Sequence, residues 1–410
     1  MSDTGLRAVS AAGLLVMLAI AWAFSVERRR VPWRVVGWGL ALQLGLGILL
    51  LETPVGAVFF AGMNGLVSAL GAYTNAGARF VFGSLLETGF SFALNVLPVI
   101  VFMGSIFAVL YHLGVMQRVV NALAAALGRT LGTSGAESVA AVANVFLGMT
   151  ESALVVRPYL ERMTRSELFC LMTVGMSGVA GSVLVAYVAM LGGGDYAGHL
   201  ATASLLSAPA GILVAKLMVP ETEVPETRSG GHAVVERTTV NVFDAAAEGA
   251  ASGMRLAAYV GALLVAFVAL IAMANDACGW IGGWFGAEQL TLQDLLGFAL
   301  APLAFAMGVP WQDAAPVGAL LGVKTILNEF IAYQQLGELM RAGSISPRAA
   351  VIASYALCGF ANFGSLAILL GGLTGLAPSR RSDVARLGLR SILAGSLATF
   401  MTACVAGLLL

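Results

Sequence analysis

Apolar residues fill long runs of this chain, and polar residues fall either between the runs or at a few places inside them. Residues 8–25, 35–51, 92–113, 168–191, 199–219, 255–275, 349–376 and 387–410 have the length and apolar character of membrane-crossing helices, which predicts eight spans. The span at 168–191 holds Gly175, Gly178 and Gly181 in its middle, and the span at 349–376 is broken around residues 359–364. Two further runs are apolar but interrupted. Residues 131–159 contain Glu137, Asn144, Gly148 and Glu151; residues 296–333 contain Pro302, Pro310, Asp313, Pro316, Lys324 and Glu329. Lipid does not tolerate such polar, broken backbone, so both runs are expected to be re-entrant helical hairpins packed inside protein. Residues 55–83, interrupted by Asn64, Asn75 and Arg79, read as an interfacial helix too broken to span. Residues 280–295 read as a short outer segment, also interfacial, and the polar stretch 220–239 reads as a mobile linker.

Basic residues orient these elements. The first run has no basic start and is followed by Arg28, Arg29 and Arg30, the order of a membrane helix whose C-terminal end is cytoplasmic rather than of a secretion signal. Basic clusters at 28–34, 157–165, 228–237 and 380–390 share the cytoplasmic side if the first hairpin enters from that face and the second from outside. Arg341 and Arg348 fall on the outer side, against the trend. Both termini are then extracytoplasmic. The order hairpin, broken span, plain span occurs at 131–219 and again at 296–410, entering from opposite faces. Such an inverted repeat with paired broken segments points to a transporter's binding site. The breaks leave unpaired backbone N–H and C=O groups in a dry region.

Composition narrows the function class. Hydrophobic residues make up 59% of the 410 residues and charged ones 11%, against about 25% charged in a typical soluble domain. The expected fold class is an all-α polytopic membrane protein of eight transmembrane helices plus two re-entrant hairpins, and its first partner is the lipid bilayer. A formal net charge of zero argues against nucleic acid. The fifty glycines suit close helix packing and broken helices. Cys170, Cys278, Cys358 and Cys404 show no metal spacing, and the three histidines are scattered. No nucleophile–base pair is evident, so an enzyme is not expected, and neither is a cofactor.

Three stretches carry the polar groups at depth: residues 144–151, 321–333 and 358–365, with the Gly-rich 175–182 beside them. An ionisable residue there costs about 2.5–3.5 kcal/mol on insertion scales, which marks it as functional. Together they are expected to form one polar site near the bilayer midplane. These same residues carry a family resemblance. Gly148-Met149-Thr150-Glu151 resembles the G-Q-T-E signature of concentrative nucleoside transporters, followed by V-V-R-P-Y at 155–159. K-T-x-x-N-E-F at 324–330 and G-F-A-N-F-G-S at 359–365 are similar to two further elements of that family, with Gly364 in place of a serine. N-V-x-D-A-A-x-x-G-A at 241–250 adds to the resemblance, which extends over essentially the whole chain.

The resemblance implies a homotrimer in the cell (inner) membrane that imports nucleosides with a cation gradient by an elevator-like motion. It implies a scaffold at residues 1–130 and 241–295, transport repeats at 131–219 and 296–410, and a cytoplasmic linker at 220–240. It places Glu329, Asn362 and Ser365 on the ribose hydroxyls. A carboxylate and an amide can each take two hydroxyl hydrogen bonds, so the chemistry fits; a Lys324–Glu329 ion pair holding the hairpin is the competing structural role. The resemblance places Met149, Thr150 and Glu151 at the nucleobase, where capping of the hairpin tip by Thr150 and Glu151 competes. Val183 and Phe360 would line the pocket or simply pack. Met149 stands where a Gln is common, which exchanges an amide for soft apolar contact and should alter base selectivity. For sodium-coupled relatives the ion's ligands match Asn144, Leu147, position 178 and Val179. Gly178 lacks the hydroxyl expected there, and Ser177 would point about 100° away on an ideal helix. The coupling ion is therefore H+ or Na+, with Glu151 or Glu329 the proton carrier in the first case. A same-fold symporter for another polar metabolite, such as a nucleobase, and a passive channel are the alternatives.

Overall fold

The computed structural model describes residues 2–87, 91–193, 195–228, 239–284, 286–287 and 289–410. It is all-helical among these residues. In order, α1 is Asp3–Ala23, α2 Trp33–Leu51, α3 Pro54–Phe82, α4 Phe92–Asn95, α5 Leu97–His112 and α6 Val115–Leu131. Then follow α7 Gly135–Phe146, α8 Met149–Val155, α9 Arg157–Leu160, α10 Arg165–Ser177, α11 Gly181–Met190 and α12 Tyr196–Met218. The second half holds α13 Val242–Gly283, α14 Leu292–Ala306, α15 Trp311–Ile326, α16 Glu329–Arg341, α17 Pro347–Leu357, α18 Phe363–Leu376 and α19 Arg381–Leu409.

Eight helices among the described residues are long and apolar enough to cross a membrane. Seven of them coincide with expected spans; the eighth is the unexpected α3 with its 3-10 extension, Pro54–Glu87. Asn64, Asn75 and Arg79 thin the hydropathy there without breaking the helix. Asn64 is satisfied by donating to Asp195 Oδ1 at 2.9 Å. The expected span 349–376 is cut into α17 and α18, each too short to cross alone.

The proposed repeat is visible in element order, with different borders. Two helices, a broken hairpin, a broken helix and a long helix run α5, α6, α7/α8, α10/α11, α12 and then α13, α14, α15/α16, α17/α18, α19. Two borders move as a result. The first hairpin starts at Gly135, because Ser134 and Glu137 form a reciprocal capping box and Leu131 ends the preceding helix. The second starts at Trp311 and runs to Arg341, because α14 turns back on α15 at 116° and belongs to the preceding element. The outer segment at 280–295 is likewise redistributed. Trp280 lies in α13, an unbroken 42-residue helix that Asn241 caps by accepting from Asp244 N, and residues from Leu292 open α14.

The unbroken helices α12 and α19 pack on each other and on α10, and form the centre of the molecule. The first two helices lie on this centre, α1 along α19 and α2 along α12, whereas α5 and α13 pair with each other at its edge. The base of the first hairpin is tied to the centre by buried charge. Lys216, near the end of α12, pairs with Glu137 and with Glu221, and donates to Ser166 Oγ at 2.9 Å. Ions this deeply buried persist because each finds a counter-charge and hydrogen bonds. The same region corrects the linker. Gly135 N and Ala136 N donate to the carbonyl and hydroxyl of Thr227, so residues 220–228 are docked rather than free. Residues 229–238 of that linker lie outside the described residues, and Thr239 after them meets His112 Nδ1 at 2.7 Å.

Candidate functional site

Four helix breaks meet at one cavity. It is lined by Met149, Thr150 and Glu151 of α8, Ser182 and Val183 of α11, Asn328, Glu329 and Phe330 at the start of α16, and Phe360, Asn362 and Ser365 at the α17–α18 break. The eight residues expected to touch substrate (Met149, Thr150, Glu151, Val183, Glu329, Phe360, Asn362, Ser365) all line it. Each break lies just before a helix start, so the N-terminal ends of α8, α11, α16 and α18 border the same space. Such ends carry partial positive charge, and the two carboxylates, Glu151 and Glu329, sit in the first turns of α8 and α16, where a negative charge is favoured.

The breaks have local causes. At the first tip, Gly148 has φ 108° and ψ 177°, a conformation open essentially to glycine alone. At the second tip the backbone is extended at Asn328, whose side chain turns back to accept from Ile331 N at 3.0 Å. Asn362 repeats that cap on α18, accepting from Ser365 N at 2.7 Å. The two broken helices cross at their breaks, where Phe360 N donates to the Gly178 carbonyl at 3.3 Å. Gly359 permits the crossing, because a Cβ there would lie 2.9 Å from Met176 O.

Glu329 is buried and doubly held. Its Oε1 accepts from Tyr187 O–H at 2.9 Å and its Oε2 from Asn362 Nδ2 at 2.8 Å. The competing ion pair with Lys324 is not formed. Lys324 Nζ instead donates to the Ala356 carbonyl at 2.7 Å and to Thr399 Oγ1 at 3.0 Å, closing the last turn of α17. Glu151 is exposed to the cavity, and Thr150 Oγ1 donates to it at 2.8 Å. Gly148, the residue before α8, brings no side chain to cap it, and the Glu151 carboxylate accepts from its own backbone N–H, so part of the capping role expected at the tip is present beside the cavity contact. Met149 packs under Gly175 of α10 while its side chain borders the cavity.

Sequence reasoning missed two contributors. Tyr187 lies one turn beyond Val183 on α11; a phenol inside an apolar helix must find a partner for its O–H, which was the available signal. Leu256, Tyr259, Val260 and Leu263 of α13 also line the cavity; the phenol of Tyr259 is the same kind of signal, and the three aliphatic residues carry none.

The residues matched to a cation site gather where the first-hairpin break meets the α10–α11 break. A Cβ on Gly148 would stand 3.1 Å from Ala180 Cβ, and one on Gly181 would stand 3.1 Å from the Phe146 carbonyl. Leu147 and Val179 lie in these two breaks. Asn144 is buried, donates from Nδ2 to the Val174 carbonyl at 2.6 Å, and leaves Oδ1 buried without a partner. Ser177 does not turn to replace a side chain at 178. Its hydroxyl donates to Val174 O at 3.3 Å and to Ser207 O at 3.5 Å. Ser207 of α12 comes closer, with its Oγ 3.1 Å from where a Cβ on Gly178 would be.

Comparison with known proteins agrees with this geometry. Family models described as the C-terminus and the N-terminus of Na+ dependent nucleoside transporters match residues 199–407 and 12–85, and one described as nucleoside recognition matches 93–194. An uncharacterized transporter of Bacillus subtilis, YutK, is 46% identical over 97% of this chain and 98% of its own. Sodium/nucleoside cotransporter 1 of Rattus norvegicus is 40% identical over 98% of this chain and 63% of its own. A solved structure of CNTnw in an inward-facing substrate-bound state is 46% identical, covers 98% of both chains, and superposes with a TM-score of 0.92.

Proposed function

Because the chain belongs to the concentrative nucleoside transporter family, we propose that it is a cation-coupled symporter that imports nucleosides across the cell (inner) membrane. The observation that carries this is the single cavity joining Glu329, Asn362 and Ser365 to Met149, Thr150 and Glu151. The first three take the ribose hydroxyls. Glu329 keeps acceptor capacity beyond Tyr187, Asn362 and its own backbone N–H, since an ionised carboxylate has about four lone-pair sites. The second three face the base, whose edge offers donors that the exposed Glu151 accepts. Val183 and Phe360 supply apolar contact to the rings.

Transport is by an elevator-type motion in which the two repeats move against a scaffold. In support, the cavity lies between the half-helix tips of the repeats and a flat apolar wall on α13, which pairs with α5 away from the central helices. In this reading α1 and α2, which pack on α19 and α12, travel with the moving body rather than with the scaffold expected at residues 1–130. The functional unit is a homotrimer with both termini extracytoplasmic.

The coupling ion has two readings, each with an observation. For Na+, Asn144 Oδ1 is a buried oxygen without a partner, and the breaks beside it present backbone carbonyls. For H+, position 178 brings no hydroxyl, and Glu151 is a carboxylate exposed to the cavity. Uptake of labelled uridine and adenosine into proteoliposomes, under an imposed Na+ gradient and separately a pH gradient, separates them. Concentrative uptake under one gradient alone identifies the ion. Equilibration without concentration means a passive pore, and absence of uptake under both overturns nucleoside symport in favour of another polar metabolite.

A further inference from the structure

Tyr187 stands beneath the site rather than in its lining. Its ring is fully buried, stacked on Tyr333 at 4.4 Å with planes 21° apart, and met edge-on by Phe330 at 4.9 Å. Tyr333 is itself fixed, since its O–H donates to the Ser354 carbonyl at 2.7 Å. The phenol is therefore presented rigidly, and its hydroxyl donates to Glu329 Oε1 at 2.9 Å. Asn362 holds the other oxygen from the opposite side. Two donors on two oxygens fix the rotation of the carboxylate plane and leave acceptor capacity on each oxygen. A pair of neighbouring hydroxyls on a sugar ring offers two donors in a matching arrangement. The two holders come from different repeats, Tyr187 from α11 of the first and Asn362 from the α17–α18 break of the second.

We propose that Tyr187 is a positioning residue that orients the Glu329 carboxylate and thereby sets discrimination for the sugar hydroxyls. This rests on the reading that Glu329 receives the ribose. Without the phenol O–H, Asn362 still holds Oε2, but Oε1 loses its fixed donor, and the paired hydroxyls meet a less preorganised acceptor. Packing is not the source of the effect, because phenylalanine keeps the ring, its stack and its edge contact.

The test is uptake of labelled uridine into proteoliposomes, with 2′-deoxyuridine and 3′-deoxyuridine as competitors, for the unmodified protein, Tyr187→Phe, Glu329→Gln and the double variant. Tyr187→Phe should raise KM for uridine about tenfold, the scale of one hydrogen bond to a charged group, with maximal rate within about twofold. It should also reduce the preference for uridine over the deoxynucleosides by about fivefold. In the Glu329→Gln background the same change should not lower that preference further. Equal weakening of all three nucleosides, or an undiminished loss in the Glu329→Gln background, overturns the proposal and leaves Tyr187 a packing residue. If Tyr187→Phe does not fold, Tyr333→Phe loosens the same platform and should shift the preference in the same direction by a smaller factor; an unchanged preference there overturns it as well. Failure of the unmodified protein to take up uridine under either gradient sinks the underlying nucleoside reading instead.

Discussion

The two hairpin tips are built on one plan and finished differently. Each breaks a helix inside the protein and restarts it with a carboxylate in the first turn. At the second tip the restart is closed: Asn328 caps α16, and Glu329, only 3% exposed, is held by Tyr187 and Asn362. At the first tip the restart is open: Gly148 brings no side chain, α8 has no side-chain cap, and Glu151 is exposed with Thr150 as its hydrogen-bonded neighbour. Fixed donors and acceptors suit a part of the ligand that does not vary, and adaptable ones suit a part that does. A nucleoside has both: one sugar, and bases with different edges. The difference between the tips thus fits the proposed nucleoside site, strict at one end and permissive at the other.

The largest effect expected follows from removing the charge at the closed tip. Glu329→Gln places a donor where Tyr187 or Asn362 already donates, and leaves one of them buried and unsatisfied. A hydrogen bond to a charged group is worth about 1.5–3 kcal/mol, so KM for uridine should rise by about a hundredfold. Uptake kinetics in proteoliposomes measure this; a rise below about threefold would mean that the ribose lies elsewhere. At the open tip, Glu151→Gln removes charge from a group already in contact with the cavity, where water or ligand can replace what is lost. The expected rise is about tenfold and should differ between uridine and adenosine, whereas that from Glu329→Gln should be the same for both. Equal base dependence at the two positions would erase the division between the tips.

This division was legible in the sequence only in part. The polar residues at depth, Asn144, Glu151, Lys324, Glu329 and Asn362, stood out because each is costly in lipid, and their stretches do converge. The helix borders were harder. Residues 296–306 and 311–326 both read as apolar, and nothing in their composition places α14 outside the hairpin; the turn at 307–310 and the 116° reversal are tertiary facts. Interruptions were also overweighted in α3, where scattered polar residues leave a 29-residue helix intact. Lys324, five residues before Glu329, suggests an ion pair, but its ammonium reaches the end of α17 instead. Tyr187 was missed because an apolar helix with one tyrosine reads as packing until its hydroxyl partner is known.

Gly178→Ser tests the neighbouring break. A Cβ there would lie 2.6 Å from Asn144 Nδ2 and 3.1 Å from Ser207 Oγ, so the Asn144 amide must leave its bond to Val174 O. The expected cost is about 1–3 kcal/mol of stability, the range for overpacking, visible as a lowered thermal midpoint. If the site lacks only a hydroxyl, the variant should also make uptake more dependent on Na+. Unchanged ion dependence would mean that Asn144, not position 178, decides what binds there.

The smallest effect belongs to Met149→Gln, at the open tip. Met149 borders the cavity with soft apolar contact and packs beneath Gly175, so a side chain of similar length fits the space. Glutamine adds a donor and an acceptor beside Glu151 without altering the ribose end. The ratio of KM values for adenosine and uridine should therefore shift by about threefold to tenfold, the worth of one neutral hydrogen bond, while preference for uridine over its 3′-deoxy form stays constant. Competition assays read both ratios in one experiment. A shift in the sugar ratio with no shift in the base ratio would reverse the assignment of the two tips, and with it the reason one is closed and the other open.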